Sequence, residues 1–322
     1  MFPRTRPRRL RYNQTVRELV AETRLSRHDL IYPIFVKDGP SQPIASMPGQ
    51  FRHGIGDLPR LATDLVESGV GSVLIFGIPA SSAPDASPAF DPNGVVQRAL
   101  KTLRDATDEL LLITDVCLCQ YIDTGHCGLI ANGRVDNDAT LPVLAKVALS
   151  HVEAGSDIVA PSDMMDGRVK AIRDALDGTG HEHIPIISYA AKYASAYYGP
   201  FRDACYSAPK EGDRKTYQMD PRNAREAIRE VLGDIEEGAD IVMVKPALSY
   251  LDVISRVRDV VNVPVMAYNV SGEYAMIKAA SAQGCFDEKA VVRETLESIK
   301  RAGADLIATY FARDIAGELD EK

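Results

Sequence analysis

Short runs of consecutive apolar residues alternate with stretches whose apolar positions recur every three to four residues, along almost the whole chain. The apolar runs fall at residues 31–36, 72–78, 110–116, 157–160, 184–189, 240–245, 263–268 and 305–310. Unbroken Val/Ile/Leu content over such lengths suits parallel strands covered on both faces. Helical patterns separate most of them, at 58–68, 94–109, 141–154, 168–177, 222–237, 248–261 and 288–302. Glycine punctuates the helix-to-strand junctions at Gly69, Gly155, Gly238 and Gly303, where a helix C-terminus needs a residue at positive φ. This repeat predicts a (β/α)8 TIM barrel of class α/β. An open doubly wound sheet is the alternative, but no G-x-G-x-x-G turn follows the first strand.

A barrel carries its active site at the C-terminal ends of its strands. The pattern places there Asp115 with the cysteines that follow it, Ser162-Asp163, Tyr189 to Lys192, Lys245, Tyr268 to Ser271, and Tyr310. Residues 31–322 are assigned to the catalytic barrel. Residues 1–30 are read as an extended N-terminal arm without a core of its own.

Composition narrows the picture. The 322 residues are 45% hydrophobic and 25% charged, as in a globular protein with a large core. A net charge of -8 argues against a nucleic-acid partner. Arg4, Arg6, Arg8, Arg9 and Arg11 crowd the N-terminus, yet no signal-type apolar segment follows them. Nowhere is there an apolar run long enough to span a membrane. The basic segment is read as an arm docking on another subunit, with a polybasic tail as the other reading. Five cysteines, three of them clustered, make no disulfide framework, so a cytoplasmic location is expected.

The cluster is the strongest chemical signal. Cys117, Cys119 and Cys127 lie within Asp115-Val-Cys-Leu-Cys-Gln-Tyr-Ile-Asp-Thr-Gly-His-Cys-Gly. Three thiolates suit a borderline cation such as Zn²⁺ and leave a fourth position for water or substrate, as catalytic sites do. Free or redox-active thiols are the competing reading. Lys245 ends the run Ile-Val-Met-Val-Lys-Pro and should point into the barrel mouth. There desolvation and a nearby cation would lower its pKa and arm it to attack a carbonyl as a Schiff-base lysine. Lys192, just beyond the fifth run, is its companion; both could instead be ordinary snorkelling lysines. Residues 195–220 read as a long loop with Gly199-Pro200 breaking any helix, carrying Arg202, Lys210, Arg214 and Lys215. A basic aromatic lid would suit a substrate bearing carboxylates, whereas a solvated charge run would look the same. Cys205 and Cys285 are expected to be small buried hydrophobes.

Motifs spread from the first strand to the last carry a resemblance: Ser46-Met-Pro-Gly, Asp115-Val-Cys-Leu-Cys with Gly125-His-Cys-Gly, Ala160-Pro-Ser-Asp-Met-Met-Asp-Gly-Arg, Ser188-Tyr-Ala-Ala-Lys-Tyr-Ala-Ser, Tyr198-Gly-Pro-Phe-Arg-Asp-Ala, Val242-Met-Val-Lys-Pro, Tyr268-Asn-Val-Ser-Gly-Glu-Tyr and Ala308-Thr-Tyr-Phe. With these the chain resembles the porphobilinogen synthase, or δ-aminolevulinic acid dehydratase, family over essentially its whole length. The resemblance implies a lyase of tetrapyrrole biosynthesis that condenses two 5-aminolevulinate molecules to porphobilinogen with loss of two waters. It implies that Lys245 holds the propionate-side substrate and Lys192 the acetate-side one. Arg202 and Arg214 would bind one substrate, and Ser271 and Tyr310 the carboxylate of the other. Cys117, Cys119 and Cys127 match the zinc branch of the family, with Asp115, Ser162, Asp163 and Asp166 expected around the same pocket. Glu230 stands where bacterial members hold an allosteric Mg²⁺, though a solvent-facing helical glutamate would look the same. A homo-oligomer, typically an octamer embraced by N-terminal arms, is also implied. Two rivals remain at this point: a lysine aldolase on the same barrel, and a non-catalytic barrel storing zinc or sensing redox state.

Overall fold

Eight parallel strands wrap around a common axis: β1 (Leu30–Lys37), β2 (Ser72–Ile78), β3 (Leu111–Val116), β4 (Ile158–Pro161), β5 (Ile187–Lys192), β6 (Ile241–Lys245), β7 (Val265–Asn269) and β8 (Leu306–Thr309). They belong to a computed structural model that describes residues 4–319. The hydrogen-bonded order is β4-β3-β2-β1-β8-β7-β6-β5. The ends meet through one parallel bridge, Val159 to Ile186, where the Val159 N–H donates to the Pro185 carbonyl at 3.2 Å. The barrel is thus closed, thinly at its β4–β5 seam.

The helices on the outside are α1 (Leu58–Glu67), α2 (Val95–Ala106), α3 (Asn137–Glu153), α4 (Arg168–Asp177), α5 (Arg225–Glu236), α6 (Leu251–Arg258), α7 (Ser271–Ala282) and α8 (Glu288–Arg301). Helices such as α1, α2 and α5 bury an apolar face toward a barrel whose strand residues, such as Ile75, Val244 and Val265, are fully buried. Gly69, Gly155, Gly238 and Gly303 take φ of 83°, 106°, 107° and 118°, as their junction role requires.

Several boundaries differ from the sequence pattern. Helix α3 starts a turn before residue 141, because the Asp136 carboxylate accepts the Ala139 N–H and caps it there. Helix α5 starts at Arg225, since the Asp220 carboxylate accepts the Arg222 N–H and holds residues 220–223 in a turn. Strand β5 lies three residues later than the apolar run. Its pairing slips between Ser188 and Ala191 against Val242 and Val244, so it carries one extra residue and Lys192 falls inside the strand. The loop 195–220 contains a helix, Gly199–Cys205, with Pro200 in its first turn. Proline fits there because the first N–H groups of a helix have no internal partner. The N-terminal segment is a short helix, Gln14–Leu19, with no buried residue, and the chain joins the core from Leu25 onward.

Candidate active site

The bulge in β5 brings Lys192 opposite Lys245 at the C-terminal ends of adjacent strands. Both lysines are about 5% exposed. The Nζ of Lys245 sits in an aromatic box, 4.2 Å from the ring centre of Tyr268, 4.9 Å from Tyr189, 5.0 Å from Phe201 and 5.5 Å from Tyr198. Burial, and after it the charge of Lys192, holds the Lys245 amine down at about 7, while Asp115 pulls the other way. Lys192 Nζ donates to the Ser162 carbonyl and lies 5.5 Å from the Tyr189 ring.

Asp115, Ser162, Cys119, Arg202 and Arg214 share with the two lysines the wall of one small cavity, with room for about a water molecule. Burial raises the Asp115 carboxyl to about 6 against the pull of Lys192. Around the mouth, Asp115 Oδ1, Tyr189 Oη, Arg202 Nε and Arg214 Nε are all buried without a hydrogen-bond partner. Unsatisfied buried polar atoms are costly and rare, and four of them near one cavity point to a polar ligand.

The sulfur atoms of Cys117, Cys119 and Cys127 lie within 4.8 Å of one another, and those of Cys117 and Cys119 are 3.4 Å apart. Three sulfurs on a tetrahedral Zn²⁺ at about 2.3 Å would stand roughly 3.8 Å apart, so the pocket fits the ion. Hydrogen bonds from Cys117 and Cys119 hold the Cys127 thiol well below its usual range, with help from Arg214 against the opposing effect of burial. Among the described residues this is the one cluster of three metal-ligating side chains.

The lid is latched to the cysteine loop. Arg214 donates to the carbonyls of Gly125 at 2.9 Å and Ser207 at 2.5 Å. His126 Nδ1 lies 3.1 Å from Tyr217 Oη, which also accepts the Cys127 N–H at 3.3 Å. Gly125 has φ +71°, and a Cβ there would stand 2.5 Å from the Ala208 carbonyl oxygen, so only glycine lets the two loops meet this closely.

Other expected residues lie farther out. Ser271 Oγ accepts the Phe201 N–H at 3.0 Å and so seats the lid helix instead of lining the cavity. Tyr310 is buried behind the aromatic box, its hydroxyl 3.1 Å from that of Tyr268. Asp163 is buried with Arg168 Nε at 3.9 Å, and burial raises its carboxyl to about 7. Asp166 and Glu230 both line a broad outer groove away from the lysines. Glu230 is half-buried, and burial raises its pKa, with Asp166 adding to the rise. Cys205 is buried as expected, whereas Cys285 is exposed, in the glycine turn that ends α7, where its N–H donates to the Ala280 carbonyl at 3.1 Å. The sequence pattern marks Phe201 only as one aromatic of the 195–220 segment, and it gives no separate signal for Gln120 or Tyr217.

The profile of the family described as delta-aminolevulinic acid dehydratase matches residues 4–318. The delta-aminolevulinic acid dehydratase of Methanothermus sociabilis is 58% identical over 320 residues, 99% of each chain, and that of Halalkalibacterium halodurans is 52% identical over 98% of this chain and 97% of its own. The fold is similar to the Toxoplasma gondii ME49 enzyme in complex with its reaction product porphobilinogen, with a TM-score of 0.96 and 45% identity over 98% of this chain and 91% of that one. The chain therefore belongs to the delta-aminolevulinic acid dehydratase, or porphobilinogen synthase, family of lyases.

Proposed function

We propose that the chain joins two molecules of 5-aminolevulinate into porphobilinogen, with Lys245 holding the propionate-side substrate and Lys192 the acetate-side one as Schiff bases. The observation that carries this reading is the paired placement of the two buried amines across β5 and β6. At each lysine the unprotonated Nζ adds to the substrate ketone, and the carbinolamine loses its oxygen as water while the imine forms. Both lysines leave as free amines when the new C–C and C–N bonds are made, so two waters are lost per pyrrole. Porphobilinogen formed in this way would serve tetrapyrrole biosynthesis.

Arg202 and Arg214 would bind one substrate, and the bidentate fork of either suits its carboxylate. Ser271 and Tyr310 would serve the other carboxylate once the lid helix has moved off Ser271. Such movement is required, because the present cavity is too small for either substrate. Cys117, Cys119 and Cys127 would hold Zn²⁺, which when bound supplies a Lewis acid or a hydroxide source. Asp115, with a carboxyl near 6, is suited to hold or release a proton within this pocket. Glu230 would bind an allosteric Mg²⁺ through one carboxylate, with water filling most of the shell. The exposed Leu10, Tyr12 and Leu19 support an arm that packs on another subunit of a homo-oligomer, an octamer by family resemblance.

The test is pyrrole formation from 5-aminolevulinate on chelator-treated enzyme, before and after Zn²⁺ is restored. Pyrrole that appears only with Zn²⁺ is expected. Pyrrole at full rate without it would keep the condensation and remove the ion from it. No pyrrole under either condition would overturn the reading.

A further inference from the structure

Glu273 is 1% exposed in the first turn of α7. One carboxylate oxygen accepts the Leu248 N–H at 2.8 Å. The other accepts the Val270 N–H and the Asn269 side-chain amide, each at 2.9 Å. Capping its own helix would account for the bond to Val270 alone. The remaining donors come from the end of β7 and from the turn that follows β6, where Leu248 stands three residues after Lys245. Asn269 in turn accepts the Thr309 hydroxyl at 2.9 Å, at the end of β8. One buried carboxylate thus gathers the C-terminal ends of three neighbouring strands. Among the described residues it has no ion-pair partner, so neutral donors from Leu248, Asn269 and Val270 hold it.

The same helix turn seats the lid. Ser271 accepts the Phe201 N–H, and the Phe201 ring forms one wall of the box around Lys245. At Gly272 a Cβ would stand 2.4 Å from the Tyr197 carbonyl oxygen, so the turn and the lid are in backbone contact. Both the strand end that carries Lys245 and a wall of its box are therefore referenced to Glu273.

We propose that Glu273 is a positioning residue that sets the Nζ of Lys245 for attack on its substrate, an inference that rests on the Schiff-base reading of Lys245. Glutamine has the same shape but would turn an NH2 donor toward one of the three donors, leaving that group without an acceptor.

The experiment traps both imines with borohydride in the presence of 5-aminolevulinate and maps the adducts, so that Lys245 and Lys192 are counted separately. In Glu273→Gln the Lys245 adduct should form about 10-fold more slowly while the Lys192 adduct stays within about 2-fold, and kcat should fall more than KM rises. Glu273→Asp, which keeps the carboxyl group, should recover part of the Lys245 rate. Equal slowing at both lysines, or an unchanged Lys245 rate, would overturn the proposal. Should Glu273→Gln not fold, Thr309→Val removes the hydroxyl that orients Asn269 and should slow Lys245 selectively by about 3-fold. No selective slowing there would overturn the proposal equally. Intact enzyme that yields no adduct on either lysine defeats the Schiff-base reading itself, before any variant is made.

Discussion

Lys192 and Lys245 are direct register partners on β5 and β6, and the first is one reason why the second carries a pKa of about 7. An ordinary lysine is unprotonated roughly once in a few thousand molecules at pH 7, whereas about half of a population at this pKa is ready to attack. Trapping of substrate on Lys245 should therefore rise about tenfold per pH unit on the acid side and level off near 7. Replacing Lys192 by Gln removes a like charge, which favours the protonated form and should move the midpoint upward. A trapping midpoint near 10 in the intact enzyme would show that the pocket does not depress this amine.

Arg202 and Arg214 are both on the lid but are held differently. Arg214 is buried and committed to two carbonyls, one on the cysteine loop, while Arg202 is only half-buried. Removing Arg214 should unlatch the two loops as well as lose a substrate contact. Arg214→Ala is expected to lower kcat/KM by about 100-fold or more, and Arg202→Ala mainly to raise KM by about 10-fold. Steady-state kinetics with 5-aminolevulinate distinguish them. Equal effects on KM alone would mean that the latch has no part in turnover.

Much of this was legible in the sequence because barrel strands buried on both faces leave an unambiguous apolar run, and because a helix C-terminus demands a glycine. Lys245 was placed correctly by the four apolar residues before it. Lys192 was placed just outside its strand, since a β-bulge changes register without changing composition. Helix α7 leaves no clear periodic signal: its first turn, Ser-Gly-Glu-Tyr, has weak helical propensity, and its Glu273 accepts hydrogen bonds from Leu248 and Asn269. The Gly199–Cys205 helix was missed for a related reason, as Gly-Pro was read as a break where it is a start. The ion pair of Arg168 with Asp234, at 2.8 Å, joins residues far apart in the chain, and no local pattern encodes such a partner.

Glu230 lies in the outer groove with Asp166 among the charges that raise its pKa. A cation bound there would relieve that repulsion, so Mg²⁺ affinity should fall as pH drops and the carboxyl takes up its proton. In Glu230→Ala the ratio of rates with and without Mg²⁺ should fall to about one, from whatever value the intact enzyme gives. The measurement is the rate of pyrrole formation over a Mg²⁺ titration. A response that survives the substitution assigns the ion elsewhere.

His151 offers a test of stability apart from catalysis. It is 1% exposed at the end of α3, and neither ring nitrogen has a hydrogen-bond partner. Burial lowers its pKa from 6.5 to about 3, so the folded chain keeps it neutral while the unfolded chain protonates it below 6.5. The unfolded state then binds more protons, and stability is lost as pH falls from about 6.5 toward 3, at up to about 1.4 kcal/mol per unit. Asp115 and Asp163, whose carboxyls are raised to about 6 and 7, act in the opposite sense, gaining stability as pH falls. The contribution of His151 is therefore read as a difference. In His151→Leu the melting temperature should decline less between pH 6.5 and 4 than in the parent chain. Parallel declines in the two proteins would show that His151 takes up its proton without unfolding the chain.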